Sequence, residues 1–129
     1  ECGGLELLSQ KIIFEGKETN MLGIFDFIIS VEERLQSLGW RKIQIRKNNN
    51  KKYQIKGHEF HYGKIINKEK IQNYKKIFEV YDVSGKFLSY QGFLKEKFLA
   101  SWCHIYFPSN PLVISYLVKR FVSSGKKQK

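Results

Sequence analysis

The sequence has little of what braces or anchors many small proteins. Two cysteines in 129 residues, Cys2 and Cys103, are too few for a disulfide framework. Nothing at the amino terminus has the basic and apolar regions of a secretory signal, so a reducing setting, the cytoplasm, is expected. No stretch approaches the roughly 20 apolar residues of a membrane span, and no membrane association is expected. Only two prolines, Pro108 and Pro111, punctuate the chain. Acidic residues are also scarce, 12 against 23 Lys and Arg.

What is present describes one domain. The length suits a single core rather than two, and 42% apolar residues with ten Phe and seven Tyr can fill it. The net charge of +11 raises the question of nucleic acid, because clustered Lys and Arg displace counterions from phosphates. Most of these cations are Lys spread through every segment, the pattern of a solvated surface. Two clusters remain, residues 41–52 and 125–129. They read as a loop-bearing segment and a disordered basic tail following a domain of residues 1–124. No nucleic-acid partner is expected.

Periodicity places the elements. Leu5, Leu7, Leu8, Ile12 and Ile13 fit one short helix after Gly3-Gly4. Residues 20–30 read as a buried strand bent at Gly23, and residues 33–40 as a helical turn or an irregular crossing. From Trp40 the period becomes two: Ile43 and Ile45, then Tyr53 and Ile55 beyond Asn48-Asn49-Asn50, predict a hairpin. Residues 57–66 continue extended, residues 74–83 form a strand ending at a Ser84-Gly85 turn, and residues 97–107 form the last long strand. Pro111 suits the first turn of a closing helix.

The candidate chemistry begins at Glu1-Cys2-Gly3-Gly4. Small neighbours ahead of a helix allow the tight turn that presents a nucleophile, and a helix amino terminus favours a thiolate. The same residues also suit a small buried hydrophobe near a chain end. A nucleophilic cysteine needs a base, and His58, His61 and His104 are available. With residues 101–107 extended, Trp102, His104 and Tyr106 share one face; His104 is then either a catalytic base near a strand end or a half-buried aromatic-strand residue. In Gly57-His58-Glu59-Phe60-His61-Tyr62-Gly63, His58, Phe60 and Tyr62 project one way, and Glu59 and His61 the other. That separation argues against a shared metal ion and for a polar site wall; no metal is expected.

The ordered segments Glu1–Leu8, Met21–Phe27, Arg34–Trp40, Lys56–Ile65 and Ala100–Pro111 resemble those of cobyrinate a,c-diamide synthases. The Gly-His-Glu-Phe-His-Tyr motif is the specific part; the Cys-Gly-Gly turn alone indicates only some class I glutamine amidotransferase, and the segments together resemble the CobB/CobQ-like ones. The resemblance implies an α/β fold, a doubly wound, flavodoxin-like sheet entered at the nucleophile turn and extended by antiparallel strands. It implies that Cys2 attacks the glutamine carboxamide, that His104 is the base, and that Gly3, Glu59 and His61 bind or orient. Ammonia would then amidate the a and c carboxylates of a corrinoid or related tetrapyrrole, with ATP and Mg2+ held by a separate synthetase domain.

Three departures accompany the resemblance. His104-Ile105-Tyr106 lacks the glutamate of the common His-Pro-Glu arrangement, so Glu59 is the candidate orienting carboxylate. The oxyanion loop expected ahead of the turn lies outside the chain. No Gly-x-x-x-x-Gly-Lys-Ser/Thr phosphate loop occurs in it. The chain is therefore expected to be the carboxyl-terminal part of a longer enzyme, unstable and inactive alone, with a homodimer among its possible assemblies. The alternatives are a basic α/β module that binds acidic partners, or a degenerate fragment of such an enzyme.

Overall fold

A computed structural model describes residues 1–48 and 50–123; Asn49 and the basic tail at 125–129 lie outside the described residues. The first helix, α1 (Gly3–Leu8), is six residues long. Ser9 ends it: its Oγ donates to the Glu6 carbonyl at 2.6 Å and its N–H to the same oxygen at 3.2 Å, a side-chain competitor of the helix ladder. Ile12 and Ile13, expected in the helix, therefore belong to β1 (Lys11–Phe14), where β-branched residues pack better.

The chain continues through β2 (Lys17–Asn20), β3 (Ile28–Val31), β4 (Ser37–Asn48), β5 (Lys51–His61) and β6 (Gly63–Ile65). A 3-10 turn at Lys68–Asn73 leads to β7 (Lys75–Tyr81), β8 (Phe87–Lys95), β9 (Phe98–Ala100) and β10 (His104–Tyr106). A second 3-10 turn at Phe107–Ser109 precedes α2 (Pro111–Ser123), with Pro111 at its start as expected. The predicted hairpin is β4–β5, with Ile43 opposite Ile55 and Ile45 opposite Tyr53. Residues 37–40, read as a helical turn or crossing, instead open β4.

The strands form a four-stranded sheet, β2-β1-β3-β6, and a six-stranded sheet, β10-β5-β4-β7-β8-β9. The architecture is mixed α/β and mostly strand. Among the described residues β1–β3 is the parallel pair, and the other pairs are antiparallel. The expected last long strand is broken. Its two halves, β9 and β10, lie on opposite edges of the six-stranded sheet, joined by Ser101, Trp102 and Cys103 alone. Four residue steps reach at most about 14 Å, so the sheet has to curl until its edges approach, as a barrel does.

Among the described residues two apolar clusters form the core. One lies inside the curled sheet and under α2, with Ile43, Ile45, Ile55, Phe78, Val80, Cys103, Val113 and Leu117. The other joins α1 and the smaller sheet to the first through Leu5, Phe25, Phe27, Ile29, Tyr74, Phe93 and Trp102. Phe25 and Phe27, expected on a strand, precede β3 in irregular chain and are fully buried. That buried loop is satisfied by polar partners: the Phe25 N–H donates to the Leu8 carbonyl, the Asp26 N–H to the Tyr74 hydroxyl and the Ile28 N–H to Asn67 Oδ1. Gly23, the expected bend, has φ 68°.

Among the described residues no helix is long and apolar enough to cross a membrane. Phe27 stacks on Phe25 and meets Tyr74 and Phe93 edge-on, with centroids 5.0 to 5.5 Å apart. Phe27→Ala should destabilise the domain by about 3–5 kcal/mol, read from urea unfolding, whereas Leu22→Ala at an exposed site should cost under about 0.5 kcal/mol.

Candidate active site

Cys2 precedes α1 as its N-cap with φ 47° and ψ −103°. A positive φ at a residue with a side chain is strained and persists only where its surroundings impose it. Here the Cys2 N–H donates to the Ser101 carbonyl at 2.8 Å, and the Glu1 carboxylate accepts the Ile105 N–H at 2.9 Å. Residues 1 and 2 thus lie along residues 101–105, so the fold brings Cys2 to the segment carrying His104. Gly3 opens α1, and nothing would lie within 4 Å of a Cβ there, which leaves its backbone open.

The Cys2 thiol donates to the Phe60 carbonyl at 3.6 Å. Burial pushes its pKa above the ordinary thiol value, the Glu6 carboxylate adds to the rise, and the Gly3 N–H opposes it. The expectation that the helix terminus favours a thiolate is therefore corrected. A six-residue helix offers a short dipole, and Glu6 stands one turn along the same face. Burial and the Glu6 carboxylate thus favour the thiol over the thiolate.

His104 begins β10 and pairs with His58 on β5. Its side chain is exposed on the outer face, in an apolar cleft of about 630 Å³ lined by Trp40, His58, Val83, Ile105 and Tyr106. Trp102 does not share that face, contrary to the expectation from a continuous strand: it is buried, because the chain crosses between sheet edges there. Among the described residues no hydrogen bond joins the Cys2 thiol to the His104 ring. The pairing depends on Gly57, where a Cβ would stand 2.8 Å from the His104 carbonyl oxygen. At the other end of the motif, a Cβ on Gly63 would stand 2.7 Å from Glu6 Oε1 and 2.8 Å from the Trp102 ring.

The alternation of the histidine motif is as read: Glu59 and His61 are buried, while Phe60 and Tyr62 are exposed. Glu59 accepts from Arg41 Nε and Ser37 Oγ, each at 2.8 Å, and from Gln91 Nε2. His61 Nδ1 lies 2.8 Å from the Gly63 carbonyl; a carbonyl only accepts, so Nδ1 carries the proton and Nε2 faces Glu59 at 3.8 Å. The imidazole stacks on Trp102 with centroids 4.2 Å apart. Burial alone would raise the Glu59 pKa, but the nearby His61 imidazole and the hydrogen bonds from Gln91, Arg41 and Ser37 outweigh it and hold the carboxyl well below its usual range.

Glu59 as the orienting carboxylate of His104 is corrected by this geometry. It faces the interior and His104 faces outward, because His104 shares a face with its cross-strand partner His58, and Glu59 is the next residue along β5. Its imidazole partner is His61. The sequence reading also missed Arg41 and Gln91. Arg41 had a signal: it shares the parity of Ile43 and Ile45, so a cation stood in the buried phase of a strand and required a buried anion.

The residues of this site fall within a recognisable family pattern. Residues 1–112 match the family model for the CobB/CobQ-like glutamine amidotransferase domain. The chain belongs to this family. It is 33% identical over 98% of its length to a cobyrinate a,c-diamide synthase of Caldanaerobacter subterraneus, covering 28% of that protein. It is 32% identical over 90% of its length to one of Saccharolobus solfataricus, covering 27%, and 32% identical over 96% to one of Picrophilus torridus, covering 25%. The chain thus spans about a quarter of the length of these curated relatives. No solved structure matches it.

Two tests address the amidotransferase domain's geometry. Gly57→Ala should destabilise it by about 1–3 kcal/mol, since a backbone carbonyl cannot yield as a side chain can; a thermal melt reads this. Glu59 is depressed in the fold, so its contribution is complete above the ordinary glutamate value of 4.5 and is lost as pH falls below it. Unfolding free energy measured from pH 7 to 3 should fall with acid, and the fall should be shallower in Glu59→Gln, whose neutral-pH stability is lower because Arg41 keeps no buried anion.

Proposed function

We propose that this chain is the glutaminase part of an ATP-dependent amidoligase. The observation that carries the reading is the strained Cys2 turn, pinned to the segment that leads into His104, within a family of glutamine amidotransferase domains. Strain at a residue with a reactive side chain is characteristic of functional sites. In this reading Cys2 Sγ attacks the glutamine carboxamide carbon while His104 takes the thiol proton. The carbon–nitrogen bond breaks, the imidazolium returns the proton, and ammonia leaves. Water then hydrolyses the γ-glutamyl thioester to glutamate and free thiol. The raised thiol pKa makes the base essential rather than auxiliary. The Gly3 N–H, next to the nucleophile, is the oxyanion donor this chain offers.

That these relatives are cobyrinate a,c-diamide synthases supports a corrinoid substrate, with the a and c carboxylates as ammonia acceptors. ATP and Mg2+ do not fit this chain, which lacks a phosphate-loop sequence; they would be held elsewhere in the complete protein, and no step above passes through them. We read β1–β3 with α1 as the part of a wound, flavodoxin-like sheet that this chain supplies, and we read the enzyme as cytoplasmic and open to dimerisation. Cys2→Ser in the complete protein should lower glutamine-dependent amide formation by at least about 10³-fold and leave amidation from added ammonia in place. Retention of glutamine-dependent turnover would overturn the glutaminase reading.

A further inference from the structure

The interior of the curled sheet carries a polar circuit that the glutaminase chemistry does not use. Gln91 on β8 is buried and bonds in both directions. Its Nε2 donates to Glu59. Its Oε1 accepts from Ser101 Oγ at 2.9 Å and from the Trp102 N–H at 3.0 Å. Ser101 Oγ also accepts the Cys103 N–H at 3.1 Å. The Ser101 carbonyl accepts the Cys2 N–H, and the Cys2 thiol donates to the carbonyl of Phe60, the residue after Glu59. The bonds close a ring: Cys2, Ser101, Gln91, Glu59, Phe60 and back to Cys2.

We propose that Gln91 is a positioning residue for the nucleophile, resting on the glutaminase reading. It acts through Ser101 and Glu59, which fix the two carbonyls that hold the Cys2 N–H and the Cys2 thiol. The two carbonyls belong to different segments, β5 and the bridge between β9 and β10, so neither alone sets the orientation of the turn. A side-chain amide suits this position because it both donates and accepts: it gives protons to a buried carboxylate and takes them from two donors on the bridge. The far end of the circuit is rigid, since Arg41 and Ser37 clamp Glu59. The same bridge continues into His104, so Gln91 holds the nucleophile and the entry to the base's strand together.

The test uses Gln91→Met, which keeps the volume and removes the amide, and Ser101→Ala, a smaller change that removes one arm of the circuit. It also uses the exchange Glu59→Gln with Gln91→Glu, which keeps a donor facing an acceptor. In the complete protein, Gln91→Met should lower kcat for glutamine hydrolysis at least about tenfold with KM within about twofold, and Ser101→Ala should act in the same direction. The exchange should recover most of the loss. Alkylation of Cys2 by iodoacetamide, followed by peptide mass spectrometry, should quicken at least about threefold in both single variants, because the thiol is released from the Phe60 carbonyl.

Unchanged kcat per folded molecule and unchanged Cys2 alkylation in both single variants would overturn the proposal, as would failure of the exchange to restore either. If Cys2→Ser retains glutamine turnover, the glutaminase reading falls, and the alkylation rates alone decide whether Gln91 positions Cys2. A lowered melting temperature without a change in alkylation marks Gln91 as structural only and also overturns it.

Discussion

The three-residue bridge Ser101-Trp102-Cys103 is the constraint on which the architecture rests. It joins strands that lie at opposite edges of a six-stranded sheet, and so requires that sheet to close on itself. Closure creates an interior with two regions. One is apolar and sealed by α2; the other is polar and organised around Glu59. The bridge supplies both, because Cys103 packs into the first and Ser101 hydrogen-bonds into the second. The carbonyl of Ser101 then reaches outward to fix Cys2.

A buried ion pair is weak evidence of net stabilisation, since desolvation offsets much of the attraction. The Arg41–Glu59 pair is better understood through what it orients. Its carboxylate has partners on every side, and the hydroxyl, amide and imidazole around it are each fixed by a second bond, to Arg41, to Ser101 and to Gly63. Fully satisfied networks of this kind impose a single arrangement, where partial ones would be costly. Among the described residues no buried side-chain nitrogen or oxygen lacks a partner.

Much of this was legible in residue order. The hairpin, the alternation of the histidine motif and the closing helix follow from local patterns such as Ile43, Ile45, Tyr53 and Ile55, and the family from the resemblance of the Cys-Gly-Gly and Gly-His-Glu-Phe-His-Tyr motifs. The break in the last strand was not, because Phe98–Tyr106 contains no glycine or proline to mark it; only the positions of β5 and β8 decide that one half pairs left and the other right. The helix end at Ser9 was missed because Ile12 and Ile13 extend the helical spacing. Gln91 gave no signal alone, since a glutamine between Tyr90 and Gly92 is ordinary until Glu59 and Ser101 converge on it. Of the candidate site, the residue types could be read, but the face each occupies depended on sheet closure.

The two tryptophans divide the molecule into separately observable halves. Trp102 is buried against an imidazole within the closed sheet, while Trp40 is 66% exposed beside His58 on the outer face. Indole emission shifts to shorter wavelength in apolar surroundings and is quenched by a protonated imidazole. The chain therefore contains two native optical labels, one reporting whether the bridge is seated and the other reporting what enters the cleft around His104.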